Sequence, residues 1–382
     1  MEWLSLELEN IKERGLYRKP GTVESAQTPV IVKKGRELVN LSSNNYLGLT
    51  GHPYVKKAAI EAVKKYGTGA GASRLAGGNT NLYDNLEQKI ARFKGTEAAV
   101  VFSTGYQANT GVIPAMAGTD DLILSDELNH ASIIDGCRLS RADVSVYPHK
   151  DTTELEKILR ESKHNKKLIV TDGIFSMDGD IAPLPEIIEL VGKYGAMVMV
   201  DDAHATGVLG KHCRGTPDYF NVEVDINMGT LSKALGSMGG YVAGSSELVD
   251  FLRNRARSFI YSTALPPPAV AAASAAIDVI EKEQPAKRLF ENVRMYKKGL
   301  VEIGYNVTSE TQIMYVMVGD AGKTCDVSAE LERMGVFAPA IRPPTVPEGK
   351  GRIRTSLMAT HTADDIEKAL SAFQVVKGKF GI

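Results

Sequence analysis

Pro183-Leu-Pro-Glu-Ile-Ile-Glu-Leu-Val-Gly-Lys-Tyr-Gly-Ala-Met-Val-Met-Val-Asp-Asp-Ala-His204 contains one complete helix-plus-strand unit of an α/β fold. Prolines open it, Ile187, Ile188 and Val191 share one helical face, and Gly195 stands where the helix must stop. Met197 to Val200 is then an unbroken apolar run, the pattern of a strand covered on both faces. The polar residues Asp201, Asp202 and His204 follow at its carboxyl end, where open α/β sheets bind their ligands.

The same apolar run recurs at Ala98–Phe102, Asp121–Leu124, Val144–Val146, Leu168–Val170, Ile226–Met228 and Tyr241–Ala243, with helical spacing between the runs. This predicts a large α/β domain over residues 46–283 with a mostly parallel central sheet. Helices are expected from Tyr54 and from Leu82 to Phe93, the latter closed by Gly95. Residues 1–45 read as an N-terminal arm with a short amphipathic helix ending at Gly15 and a strand at Pro29–Lys33. After Pro266–Pro268 an alanine-rich helix and a charged one, Lys287–Ile303, lead into a smaller α+β C-terminal domain, 284–382. Its strands are expected at Ile313–Val318 and Arg352–Leu357. Its helices are expected at Val327–Met334 and, opened by a Thr362-x-x-Asp365 box, at Asp364–Val376.

At 382 residues the chain exceeds one domain of about 150 residues. Lys plus Arg number 45 against 46 Asp plus Glu, so the basic footprint of a nucleic-acid binder is missing and a small-molecule partner is expected. Cys137, Cys213 and Cys325 lie far apart with no CxxC pair, which argues against disulfides and structural zinc. The N-terminal residues mix acids into an apolar pattern without a signal region, and Ala264–Ile280 suits a buried helix better than a membrane span. A cytoplasmic location is expected.

Gly67-Thr-Gly-Ala-Gly-Ala72 has the spacing of a dinucleotide fingerprint, but it follows a helix instead of a strand and reads as a loop that lets backbone approach a ligand or a neighbouring subunit. Lys233 lies among small and apolar residues in Met228–Gly240, where desolvation favours a neutral, nucleophilic amine able to form a Schiff base. Ser103-Thr-Gly-Tyr106 joins a strand to a helix and offers backbone N–H groups to a phosphate, with Thr230 and Ser232 supplying hydroxyls. A lysine for an aldehyde, an aspartate for a pyridine nitrogen and a cradle for a phosphate together describe pyridoxal 5′-phosphate, PLP. The reading from a different class is a metallohydrolase built on Asp201, Asp202, His204 and His130, with His149 as a further possible donor.

The order of motifs resembles the α-oxoamine synthases, fold-type I PLP-dependent transferases that condense an amino acid with an acyl-CoA. The likeness runs through Leu41–Leu49, Asp126–Gly136, Phe175–Asp180, Asp201–His204, Gly229–Lys233 and Arg352–Thr355. It implies Lys233 as the Schiff-base lysine and base at Cα, Asp201 at the pyridine nitrogen, His204 at the ring phenolic oxygen and His130 stacked on the ring. Gly105, Tyr106 and Thr230 would cradle the phosphate, Thr263 would reach the phosphate of a partner subunit, and Ser176 would lie near the cofactor oxygen. Asn44 and Arg354 would hold the amino-acid carboxylate, and the whole would be a homodimer with shared active sites.

Within the family, Ala340–Gly349 and Ser103–Asn109 resemble the biotin-pathway member, which uses L-alanine and pimeloyl-CoA, more than glycine C-acetyltransferase. Arg18 and Arg342 are the candidate cations for the distal charge of such an acyl chain. Tyr83 stands where many members carry His, and Gln312 and Tyr315 stand where prolines are common. No metal and no nucleic acid enter this reading.

Overall fold

The computed structural model describes residues 2–382, and all seven apolar runs meet in one sheet. Across it the order is Ala98–Phe102, Gly240–Gly244, Ile226–Thr230, Met197–Asp201, Lys167–Asp172, Leu122–Asp126, Asp143–Tyr147. Gly240–Gly244 is antiparallel to both neighbours and every other pair is parallel. The exception has a simple cause: residues 231–239 are too few for a crossover, which needs about a dozen or more. The chain therefore reverses after Thr230.

Met199 packs on one face of the sheet with Val112, Ile123 and Val170, while Val198 and Val200 pack on the other with Leu184, Ile187 and Leu190. Two cores on one strand explain why its residues are apolar without alternation. Each large side chain so buried contributes roughly 1.5–3 kcal/mol. The helix of the opening stretch spans Leu184–Tyr194 and stops at Gly195, whose φ of 61° is the left-handed conformation that glycine adopts without strain.

The chain divides into two compact units. Residues 45–176 and 180–287 form one, and the N-terminal residues through Asn44, 177–179 and 288–382 form the other. Residues expected as a separate arm thus group with the C-terminal segment, because Val336–Phe337 pairs in parallel with Val39 and Asn40 of the strand Arg36–Asn40. A second small sheet there orders Ile313–Gly319, Gly351–Ser356 and Ala340–Ile341. Its helix Ala321–Arg333 starts earlier than the periodicity indicated, because the Asp320 side chain accepts from the Lys323 amide and caps it. The box at Thr362 and Asp365 opens the helix Ala363–Phe380 as read. Among the described residues no helix is long and apolar enough to cross a membrane.

Candidate active site

Within the unit of residues 45–176 and 180–287, Asp172 and Asp201 end adjacent parallel strands and are register partners. Asp201 is 4% exposed. Its Oδ2 accepts from Asn109 Nδ2 at 2.7 Å and its Oδ1 from the Ala203 amide at 2.9 Å. Asn109 also donates to Ser132 Oγ at 2.8 Å, and that hydroxyl meets His130 Nδ1 at 2.7 Å. His130 caps the helix Ala131–Ser140: Nδ1 accepts from the Ser132 amide at 3.2 Å, which leaves the ring proton of the neutral imidazole on Nε2. Burial, reinforced by Lys233 and opposed by Asp201, lowers the His130 pKa, so the ring is neutral at pH 7.

Asp172 accepts the His130 amide at 2.9 Å. Burial and the neighbouring Asp201 push its carboxyl well above the usual range, with Lys233 and the His130 amide opposing. Lys233 Nζ lies 3.0 Å from His204 Nε2, and His204 Nδ1 lies 2.6 Å from the hydroxyl of the fully buried Tyr46. A lysine, two histidines and a buried aspartate thus converge at the carboxyl ends of the strands.

At the start of the helix Gly105–Met116, Thr104 Oγ1 accepts from the Gln107 amide at 3.0 Å, and the first turn presents the N–H groups of Gly105 and Tyr106. A Cβ on Gly105 would stand 3.5 Å from Thr230 Oγ1, so the helix start and that hydroxyl adjoin. Thr230 Oγ1 lies 2.7 Å from Ser232 Oγ. Gly240 packs so tightly below that a Cβ would come within 2.7 Å of Gly105 Cα and Thr104 O. The Tyr106 side chain is exposed, bonded to Asp135, with its ring edge-on to His130 at 6.5 Å. Thr263 is tied to the same region through its carbonyl, which accepts from Ser103 Oγ at 2.9 Å. Ser176 follows Phe175, whose amide donates to the Asp180 carbonyl.

In the other unit Arg354 is 6% exposed on the strand Gly351–Ser356, with Nη1 donating to Ser356 Oγ at 3.0 Å and Nη2 to Asn44 Oδ1 at 3.5 Å. Arg18 donates to Thr345 Oγ1 at 3.1 Å, and Arg342 to the carbonyls of Gly15 and Tyr17, a reciprocal clasp of two segments. Tyr315 packs over the Arg352 guanidinium at 4.6 Å, and Arg352 pairs with Asp178 at 2.5 Å. Tyr83 is buried in the large unit, its hydroxyl accepting from the Leu265 amide at 2.6 Å and its ring under Arg74.

The metal reading fails at Asp202. It faces Lys94 Nζ at 3.1 Å and Thr216 Oγ1 at 2.6 Å, both structural partners. Among the described residues no three His, Cys, Asp or Glu side chains are grouped to hold a metal. PLP matches the donors instead: an amine at Lys233, hydroxyls and amides at Thr230 and Gly105, and a buried carboxylate at Asp201. Two neutral donors, Asn109 Nδ2 and the Ala203 amide, hold that side chain in place.

Asn109, Ser132, Asp172 and Tyr46 were not singled out from sequence. A signal existed for Asp172, since it follows an apolar strand run in the way that Asp201 does.

These features define a fold-type I PLP-dependent transferase, and the chain belongs to the aminotransferase class I and II family, which it matches over residues 36–373. It is 50% identical to the 8-amino-7-oxononanoate synthase of Thermoanaerobacter pseudethanolicus, over 100% of this chain and 98% of that one. Among solved structures it is similar to a serine palmitoyltransferase from S. paucimobilis with a bound PLP-myriocin aldimine, at 33% identity and a TM-score of 0.94, covering 99% of this chain and 97% of that chain. It is also similar to the 8-amino-7-oxononanoate synthase of Francisella tularensis, at 27% identity and a TM-score of 0.78, covering 90% and 99%.

Proposed function

We propose that the chain is an 8-amino-7-oxononanoate synthase, a PLP-dependent acyltransferase of biotin biosynthesis. It joins L-alanine to the acyl group of pimeloyl-CoA and releases 8-amino-7-oxononanoate, CoA and CO₂. The observation that carries the reading is the convergence of Lys233, His204 and buried Asp201 at the strand ends, in a chain half identical over its full length to a synthase of that name.

Bound PLP supplies an aldehyde for an amine and a ring that accepts the electron pair left when a bond to Cα breaks. Lys233 would hold the aldehyde, and its Nζ would serve as the base for the Cα proton of alanine. Asp201 would hold the ring nitrogen and favour its protonated form, which strengthens the ring as an electron acceptor. Neutral His130 would orient the ring, His204 would donate to the ring oxygen, and Ser176 would lie near that oxygen. Gly105, Tyr106 and Thr230 would hold the phosphate, and Thr263 would reach the phosphate of the second subunit in a homodimer with shared active sites. Arg354, with Asn44, holds the alanine carboxylate, a role that suits the planar fork of a guanidinium. Arg18, steadied by Thr345, meets the distal carboxylate of the acyl chain. The enzyme works in the cytoplasm on these two soluble substrates.

One methyl group is worth only about 1–3 kcal/mol in a pocket, so the acyl chain is the sharper test. The purified enzyme with PLP is assayed with L-alanine plus pimeloyl-CoA and with glycine plus acetyl-CoA under the same conditions. A higher kcat/KM for the first pair is expected. An advantage of about tenfold or more for the second would assign the chain to glycine C-acetyltransferase instead.

A further inference from the structure

We infer that the Tyr46 phenol is a positioning residue that fixes the tautomer of His204, holding the ring proton on Nε2 where it faces Lys233. The inference rests on the PLP reading only for its consequence in turnover; the tautomer itself is a property of the chain. Tyr46 is fully buried and its hydroxyl lies 2.6 Å from His204 Nδ1, while Nε2 on the far side of the ring lies 3.0 Å from Lys233 Nζ. Both ring nitrogens are therefore engaged, and the two bonds are linked through the ring. A neutral imidazole has one donor and one acceptor nitrogen, and the partner of one decides the role of the other.

A phenol is a stronger donor than acceptor, and an unprotonated imidazole nitrogen is a strong acceptor. Tyr46 therefore donates to Nδ1, and the ring N–H stands on Nε2. From there it donates to the lone pair of a neutral Lys233 amine, the form needed to remove a proton, or to the ring oxygen of the cofactor. The opposite tautomer would accept on Nε2, favour the protonated lysine and offer nothing to that oxygen. Tyr46 and Lys233 thus act on the same imidazole from its two sides.

The test is ¹⁵N NMR of histidine-labelled protein, with and without PLP, the His204 signals being assigned by their loss in His204→Gln. In the wild type, Nδ1 is expected to carry no proton and Nε2 to carry one. In Tyr46→Phe the two tautomers should mix. The same variant should bind PLP to the wild-type stoichiometry, judged by its visible absorbance, with kcat reduced about tenfold and KM for L-alanine changed less than about twofold. A wild-type Nδ1 that carries the proton, or an unchanged tautomer in Tyr46→Phe, would overturn the inference, and the wild-type spectrum decides even if the variant does not fold. Failure to take up PLP would count against the proposed function and leaves the tautomer readable in the protein alone.

Discussion

His149→Gln should remove an interaction whose strength varies with pH in a calculable way. The imidazole sits between Asp126 Oδ1 at 3.0 Å and Asp180 Oδ2 at 2.9 Å, edge-on to Phe175 at 4.4 Å. Lys150 Nζ also reaches Asp180 Oδ2, at 3.1 Å, and Glu127 Oε1 accepts the His149 amide. Burial alone would lower the His149 pKa, but the hydrogen bonds and charges of Asp126 and Asp180 raise it from 6.5 to about 9. A group whose pKa is raised on folding stabilises the native state fully below its unfolded value, and that contribution is lost as pH rises through the folded value. A rise of this size corresponds to about 3 kcal/mol at pH 6, declining between about pH 6.5 and 9.

Urea unfolding of wild type and His149→Gln, fitted for midpoint and slope across pH 6 to 10, isolates the effect because all other titrations cancel in the difference. The gap should be about 3 kcal/mol at pH 6 and should fall below about 1 kcal/mol by pH 10. A gap that stays constant with pH would refute the charged-histidine argument and leave only lost packing.

The opposite sign is expected at His361, whose pKa is lowered to about 4 by burial, against small opposing contributions from Asp365 and the Asn40 carbonyl. Its neutral ring accepts the Met358 amide at 2.9 Å, so stability is full above about pH 6.5 and is lost as pH falls toward 4, by up to about 3 kcal/mol. The advantage of wild type over His361→Gln should accordingly shrink on acidification, and denaturant titrations at pH 7 and 4.5 check this. Lys94→Met should strand the buried Asp202 carboxylate and cost about 3–5 kcal/mol, while Lys94→Met with Asp202→Leu should recover part of the loss. Equal thermal stability of the single and double variants would argue against an ion pair that holds the strand end.

Much of this fold is legible in the sequence because a strand buried on both faces has no polar residues to hide its pattern. Six of the seven sheet strands are buried almost throughout, the edge strand Asp143–Tyr147 being mostly exposed, and residues such as Asp201 are conspicuous where the apolar run breaks off. The antiparallel strand Gly240–Gly244 is not visible in any residue; it follows from the length of the connection before it. Two-residue strands such as Val336–Phe337 carry no periodicity, and so the grouping of the N-terminal residues with the C-terminal segment stays hidden until pairing is seen.

In the site, the residues with distinctive chemistry, Lys233, Asp201, His204 and His130, are recognisable from their types and positions. Those that orient them are not. Asn109 and Ser132 are ordinary helix residues by composition, and only the 2.7 Å and 2.8 Å bonds of Asn109 reveal the bridge from Asp201 toward His130. Asp202 shows the reverse error, since an acid beside Asp201 invites a ligand role but points to Lys94.

The central claim is that Lys233 is the residue that carries the cofactor aldehyde. Its most direct test is borohydride reduction of the PLP-loaded enzyme, followed by proteolysis and mass spectrometry of the lysine-containing peptides. The account predicts a single pyridoxyl-phosphate label on Lys233, and no label at that peptide when L-alanine has displaced the lysine before reduction. A label on a different lysine, or PLP that washes away unreduced from protein with Lys233 intact, would contradict it.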